Sequence, residues 1–177
     1  MSEGSSPIRL RVVTLCTGNA ARSVMMGAVL AAQAPEVGLV TAGTLVVEGM
    51  PMSWRTKQAL GSIGVAAEGH RSHQLTDVDA AQADLIVAMA VEHVAYVRRA
   101  HPLAAAKTAT LKRLVRDLDG VDGSGLRARL VALNLAQVQL DPHREDIVDP
   151  AGGEVDVFEA CAREINDLTE ALLPHLR

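Results

Sequence analysis

Ile8-Arg9-Leu10-Arg11-Val12-Val13-Thr14-Leu15 runs without a break into Cys16-Thr17-Gly18-Asn19-Ala20-Ala21-Arg22-Ser23. The first half is mostly apolar and rich in β-branched residues, which predicts a buried strand. From Ser23 to Gln33 the residues favour a helix, with Pro35 beyond as a stop signal. A strand that turns at once into a helix leaves Cys16 to Ser23 as the junction. The residues between Cys16 and Arg22 are enough to curl backbone N–H groups into a semicircle, and Gly18 and Asn19 tolerate the left-handed values such a curl needs. The helix behind the curl adds its positive N-terminal end. A tetrahedral dianion fits a nest of this kind. Its field favours a thiolate at Cys16, and the thiolate, unlike the thiol, attacks phosphorus. Arg22 offers a planar fork for two phosphate oxygens. Ser23 can donate to the sulfur when it becomes a leaving group. Thr17, Gly18, Asn19, Ala20, Ala21, Arg22 and Ser23 are therefore the candidate phosphate-binding residues. For Cys16 alone a packed structural thiol is the better reading; the whole set at a strand–helix junction outweighs it.

Outward from this junction the alternation continues. Val37 to Thr41 reads as a second strand, Ser53 to Ile63 as a helix, and Asp84 to Met89 as a third buried strand followed by a helix to about Arg99. Thr108 to Val115 reads as a short strand turning into a helix. Leu126, Leu130, Leu133 and Leu140 keep a helical spacing, and Asp141 to Gly153, with its prolines and paired glycines, reads as a loop. The last helix is the plainest: Val155, Phe158, Ala162, Ile165, Thr169 and Leu172 share one stripe at period 3.6. Strands alternating with helices predict an α/β fold, a parallel sheet covered on both faces, with ligands bound at the carboxyl ends of the strands.

The chain has 177 residues, one ordinary domain's worth, and its 49% hydrophobic and 21% charged residues suit a packed core. A net charge of -4 argues against nucleic-acid binding through a basic surface, so a phosphate ligand needs a local positive pocket. No stretch approaches the roughly 18 apolar residues of a membrane span. Met1 to Pro7 has no apolar signal core and is expected to be a disordered lead-in. Two cysteines, Cys16 and Cys161, make no disulfide framework, which points to a reducing, cytoplasmic setting. The histidines at 73, 93, 101, 143 and 175 show no helical metal-ligand spacing, so no metal site is expected. Cys161 is read as a packed thiol, and Trp54 as helix packing, with a place at the mouth of the site as the alternative.

The segment Cys16 to Ser23 resembles the signature loop of the low-molecular-weight protein tyrosine phosphatases. Thr41-Ala42-Gly43-Thr44, Gly49, Pro51, Gly69-His70-Arg71-Ser72, Gln74-Leu75-Thr76, Asp84-Leu85-Ile86 and Met89 follow the family pattern in order, and Asp149-Pro150 with Gly152-Gly153 resembles its general-acid loop. The resemblance implies a three-layer α/β/α fold with a four-stranded parallel sheet in the order 2-1-3-4, expected here over residues 8–177; an extra helical segment near 120–144 departs from the family pattern. It implies Cys16 as nucleophile, Arg22 as holder of the phosphoryl oxygens and Asp149 as general acid and then base. Asn19 matches a loop-shaping position; Thr41 and His70 match supporting ones. No cofactor is implied. The expected partner is a phosphoprotein substrate, with a cognate kinase as a further candidate; neither nucleic acid nor membrane is expected, and a monomer is favoured. The sequence departs from the family where aromatic residues usually wall the phosphotyrosine slot: Val46 and Ala151 stand there, and Ala90 replaces a common acidic residue. Substrate identity is left open by these changes. Phosphoarginine hydrolysis is a variant compatible with the small Thr17. Two other functions stay open: arsenate reduction with a small-molecule thiol on the same scaffold, and a phosphate-binding module without catalysis.

Overall fold

The computed structural model describes residues 9–177; the expected lead-in of residues 1–7 lies outside them. Four strands form one parallel sheet: β1 (Arg11–Cys16), β2 (Gly38–Gly43), β3 (Leu85–Ala88) and β4 (Thr108–Thr110), in the order β2-β1-β3-β4. Cys16 pairs with Gly43 at the carboxyl edge of β1 and β2, and Leu15 pairs with Ala88 of β3. The β1 sequence explains its central place. Val12 and Cys16 face one apolar layer, and Val13 and Leu15 face the other, so both faces of the strand are buried.

The helices are α1 (Arg22–Gln33), α2 (Trp54–Ser62), α3 (Asp77–Gln82), α4 (Val91–Ala100), α5 (Leu111–Asp117), α6 (Leu126–Leu133), α7 (Pro142–Glu145) and α8 (Val155–Leu176). On the larger face α8 packs against α1, α2 and α5. Its stripe of Phe158, Ala162, Ile165, Thr169 and Leu172 is buried as its period requires. The other face is smaller: Leu75, Ala80, Ala83, Val97 and Ala104 close over Val13, Leu15 and Ile86. Helix starts are set locally. Ser53 caps α2 by accepting from the Thr56 N–H, and Thr110 caps α5 by accepting from the Arg113 N–H at 3.1 Å. Glycine is required at position 27 of α1, where a Cβ would lie 2.4 Å from the Thr41 methyl on β2.

Three local expectations change. The spacing that joined Leu140 to Leu126, Leu130 and Leu133 is not one helix: α6 ends at Leu133 because Asn134 adopts left-handed values at φ 51°. Within the stretch read as loop from Asp141 to Gly153, Asp141 caps and Pro142 opens the one-turn helix α7. Trp54 is exposed at the first residue of α2 and is not core packing; the Arg55 guanidinium lies over its ring. Among the described residues, no helix is long and apolar enough to cross a membrane.

Candidate active site

The loop from Cys16 to Ser23 leaves the carboxyl edge of β1 and enters α1. Ala21, at the cap position of α1, has no side chain that could take up a first-turn N–H, so that helix end keeps its backbone donors for a ligand. The curl is tied down from several elements. Asn19 adopts left-handed values at φ 51°. Its carbonyl accepts from His70 Nε2 at 2.8 Å, its Oδ1 accepts from the His73 N–H at 2.9 Å, and its Nδ2 donates to Ser23 Oγ at 2.9 Å. Ser23 Oγ, which accepts from Asn19, lies 3.0 Å from Cys16 Sγ, close enough for its own hydroxyl to donate to a thiolate there. The Thr44 and Leu45 N–H groups donate to the carbonyls of Cys16 and Thr17, each at 3.0 Å. Gly43 makes that approach possible: a Cβ there would meet the Thr17 carbonyl oxygen at 2.4 Å. From α2, the Thr56 hydroxyl donates to the Ala20 carbonyl at 2.9 Å.

Arg22 is buried and held flat by Nη1 donating to the Ile147 carbonyl at 2.9 Å and Nη2 pairing with Asp149 Oδ2 at 3.1 Å. Asp149 is half-exposed, and its other oxygen accepts from the Ala151 N–H at 3.0 Å, which sets the carboxylate at the tip of the loop before α8. Cys16, Arg22 and Asp149 line one cavity of about 360 Å³, whose other walls include Ala20, Ala151 and Phe158. Apart from Phe158 and the arginines, the walls are small. The neighbouring carboxylates are engaged elsewhere. Burial alone would raise the Glu145 carboxyl, but hydrogen bonds from Arg113, the Asp141 N–H and Thr110 hold it below its ordinary range. Asp146 accepts from the Val91 N–H at 2.8 Å.

The structure places the other expected supports unequally. His70 reaches the loop directly, whereas Thr41 sits on β2 with its methyl against Gly27. The sheet threonine whose hydroxyl reaches the strand–helix junction is instead Thr14, which donates to the Ser23 carbonyl at 2.8 Å. His93 was not among the expected site residues. It is buried in the first turn of α4, where its Nδ1 accepts from the Ala90 N–H at 3.1 Å. That bond leaves the ring proton on Nε2, which donates to Thr17 Oγ1 at 2.9 Å, with the Glu92 carboxylate 3.5 Å away. Burial first, and then the Arg22 guanidinium, push the imidazole down to about 3, and the Asp149 carboxylate offsets only part of this. His93 is therefore a neutral strut under Thr17. One signal for it was available: it lies just past the carboxyl end of β3, where this class of sheet places its ligands.

The family model for low molecular weight phosphotyrosine protein phosphatases matches residues 11–123. The protein-arginine-phosphatase of Geobacillus stearothermophilus is 32% identical over 168 residues, covering 94% of this chain and 96% of that protein. The structure of an arginine phosphatase from the same organism superposes with a TM-score of 0.73 at 31% identity, covering 93% of this chain and 91% of that one. A low molecular weight protein tyrosine phosphatase from T. tengcongensis superposes with a TM-score of 0.74 at 27% identity, covering 93% and 98%. With the sheet order and the loop geometry, these likenesses place the chain in the low molecular weight phosphotyrosine protein phosphatase family.

Proposed function

We propose that this chain removes phosphate from protein side chains through a cysteinyl-phosphate on Cys16. The observation that carries the reading is the sulfur at the base of the curl, with the Ser23 hydroxyl oxygen 3.0 Å away and an Arg22–Asp149 pair closing the same cavity. The thiolate attacks phosphorus, the bond from phosphorus to the leaving oxygen breaks, and that oxygen takes its electron pair and a proton from Asp149. Arg22 and the loop N–H groups hold the three equatorial oxygens, where charge spreads in the transition state. Water then attacks the phosphorus and gives its proton to Asp149. The sulfur recovers its electron pair, with the Ser23 hydroxyl stabilising it as it leaves.

The phosphorylated residue is phosphotyrosine in the first reading. Phosphoarginine is the second, favoured by the Geobacillus relative. Small walls at Ala20 and Ala151 admit either. The test is a panel of phosphotyrosine, phosphoarginine and phosphoserine peptides, plus arsenate with a thiol donor, run on the wild type with Cys16→Ser as the blank. Phosphate release from peptides by the wild type alone is expected. Turnover that survives in Cys16→Ser, or arsenate reduction without any phosphate release, would overturn the reading.

A further inference from the structure

The cavity holds a second guanidinium that the chemistry above does not use. Arg55, the second residue of α2, lines it together with Cys16, Arg22 and Asp149. Its side chain is only 35% exposed, and its guanidinium lies over the Trp54 ring at 4.8 Å. Among the described residues its Nε is shut off from solvent and meets no hydrogen-bond partner. The carboxylate that pairs with it, on exposed Glu154, stays 3.8 Å away, beyond a good charge-assisted hydrogen bond. Arg22 has both terminal nitrogens engaged. Arg55 is instead a fork held in place by an aromatic face, with most of its donors unspent at the wall of a phosphate site. Arg22 and Arg55 line the same cavity, so a substrate whose phosphate is seated on Arg22 has Arg55 on the wall beside it.

We infer that Arg55 determines specificity, selecting substrates with an anionic group beside the phosphorylated residue and rejecting a guanidinium there. This rests on the protein phosphatase reading. The chemistry selected is an acid, supplied by an Asp or Glu carboxylate or by a second phosphate. The same charge opposes phosphoarginine, whose own guanidinium would sit against a like-charged group. Of the two phosphorylated residues above, Arg55 therefore favours phosphotyrosine.

The test uses one phosphotyrosine peptide in four versions, with Glu, Ala, Lys or phosphoserine next to the phosphotyrosine. The reading is the ratio of kcat/KM values within each enzyme, so the Ala peptide is the internal reference. A partly screened charge pair predicts that wild type prefers Glu over Lys by about three- to fivefold, less at high salt. The phosphoserine version should exceed the Glu version if a dianion is the better partner, and match it if a single carboxylate suffices. In Arg55→Gln the ratio should fall to about one. In Arg55→Glu it should invert, and the rate on phosphoarginine relative to phosphotyrosine should rise. Arg55→Lys should restore part of the preference, which separates charge from packing. If wild type treats all four peptides alike, or if Arg55→Gln keeps the Glu preference, the inference is wrong although the phosphatase reading stands. If neither these peptides nor a phosphoarginine peptide is hydrolysed, the phosphatase reading itself fails.

Discussion

Cys16 and Cys161 are shut off from solvent to the same degree, at 3% and 6% exposure, and belong to one apolar cluster. They differ in what the backbone around them has left over. Cys16 ends a strand and faces a curl whose N–H groups, among the described residues, meet no partner, with the Ser23 hydroxyl oxygen 3.0 Å from its sulfur. Cys161 lies inside α8, where helical N–H groups are spent on their own carbonyls, and the polar atom beside its sulfur is the Val148 carbonyl at 3.9 Å. An acceptor cannot stabilise a thiolate. Burial pushes the Cys161 thiol up to about 12, with the Arg22 guanidinium pulling the other way and too weak to win. Reactivity at a buried thiol thus follows from unpaired donors, which a strand–helix junction supplies and a helix interior does not.

The loss of turnover in Cys16→Ser is the extreme of this contrast; Asp149 comes next. Its value depends on how badly the leaving oxygen needs a proton. Asp149→Asn should slow a poor leaving group, such as the phenolic oxygen of phosphotyrosine, by roughly 10²–10⁴-fold, and a nitrophenolate far less. Asp149 is half-exposed, so the variant should fold. A leaving-group series on both enzymes checks this. Equal slowing across the series would mean that Asp149 only orients Arg22, to which it is bonded at 3.1 Å.

His93 gives a smaller effect, read in stability. Its folded-state value near 3 lies below the ordinary histidine range near 6.5, so between those limits the unfolded chain binds the extra proton. Stability from this group is intact above about pH 6.5 and is lost as pH falls toward 3. At pH 5 the loss should be about 2 kcal/mol relative to pH 7.5. Depressed carboxylates such as Glu145 and Asp117 lose stability in a more acidic window, so they do not mimic it. Denaturant unfolding of wild type and His93→Gln at the two pH values measures the difference. If both lose the same stability, the strut under Thr17 is not a neutral histidine.

The same contrast explains what was legible in the sequence. The Cys16 to Ser23 junction could be read because its elements are local: an apolar run, a glycine, an asparagine and an arginine within one turn of a helix. The sheet order followed from the resemblance carried by Thr41 to Thr44 and Asp84 to Met89. What escaped was contact between distant segments. Thr14 and Thr41 are paired neighbours in the sheet, and only the packing reveals that the former reaches Ser23. His93 is 76 positions from Thr17, and no periodicity announces the bond between them. Trp54 read as helix packing rather than as part of the mouth, yet it is exposed, opens α2 and serves as a shelf for Arg55, which lines the cavity. The helix α7 was masked by its opening proline and short length.

The smallest effect is expected at Cys161, and it closes the comparison from the other side. With the thiol pushed up to about 12, only about one molecule in 10⁴ carries a thiolate there at pH 8. Alkylation by iodoacetamide in native buffer should therefore label a single cysteine, Cys16, and phosphate or vanadate in the loop should slow that labelling. Cys161 should react only after denaturation. Cys161→Ser places a hydroxyl among apolar neighbours and should cost about 1–3 kcal/mol of stability. It touches neither the curl nor Asp149, so phosphatase activity should stay within about twofold of wild type at 25 °C. Mass-resolved labelling, followed by assays of the variant on phosphotyrosine peptide and on arsenate with a thiol donor, measures all of this. Fast native labelling of Cys161 would show that α8 opens and that the two thiols share the chemistry. A variant that lost arsenate reduction while keeping phosphatase activity would make Cys161 a resolving thiol, and the scaffold would then be a reductase as well.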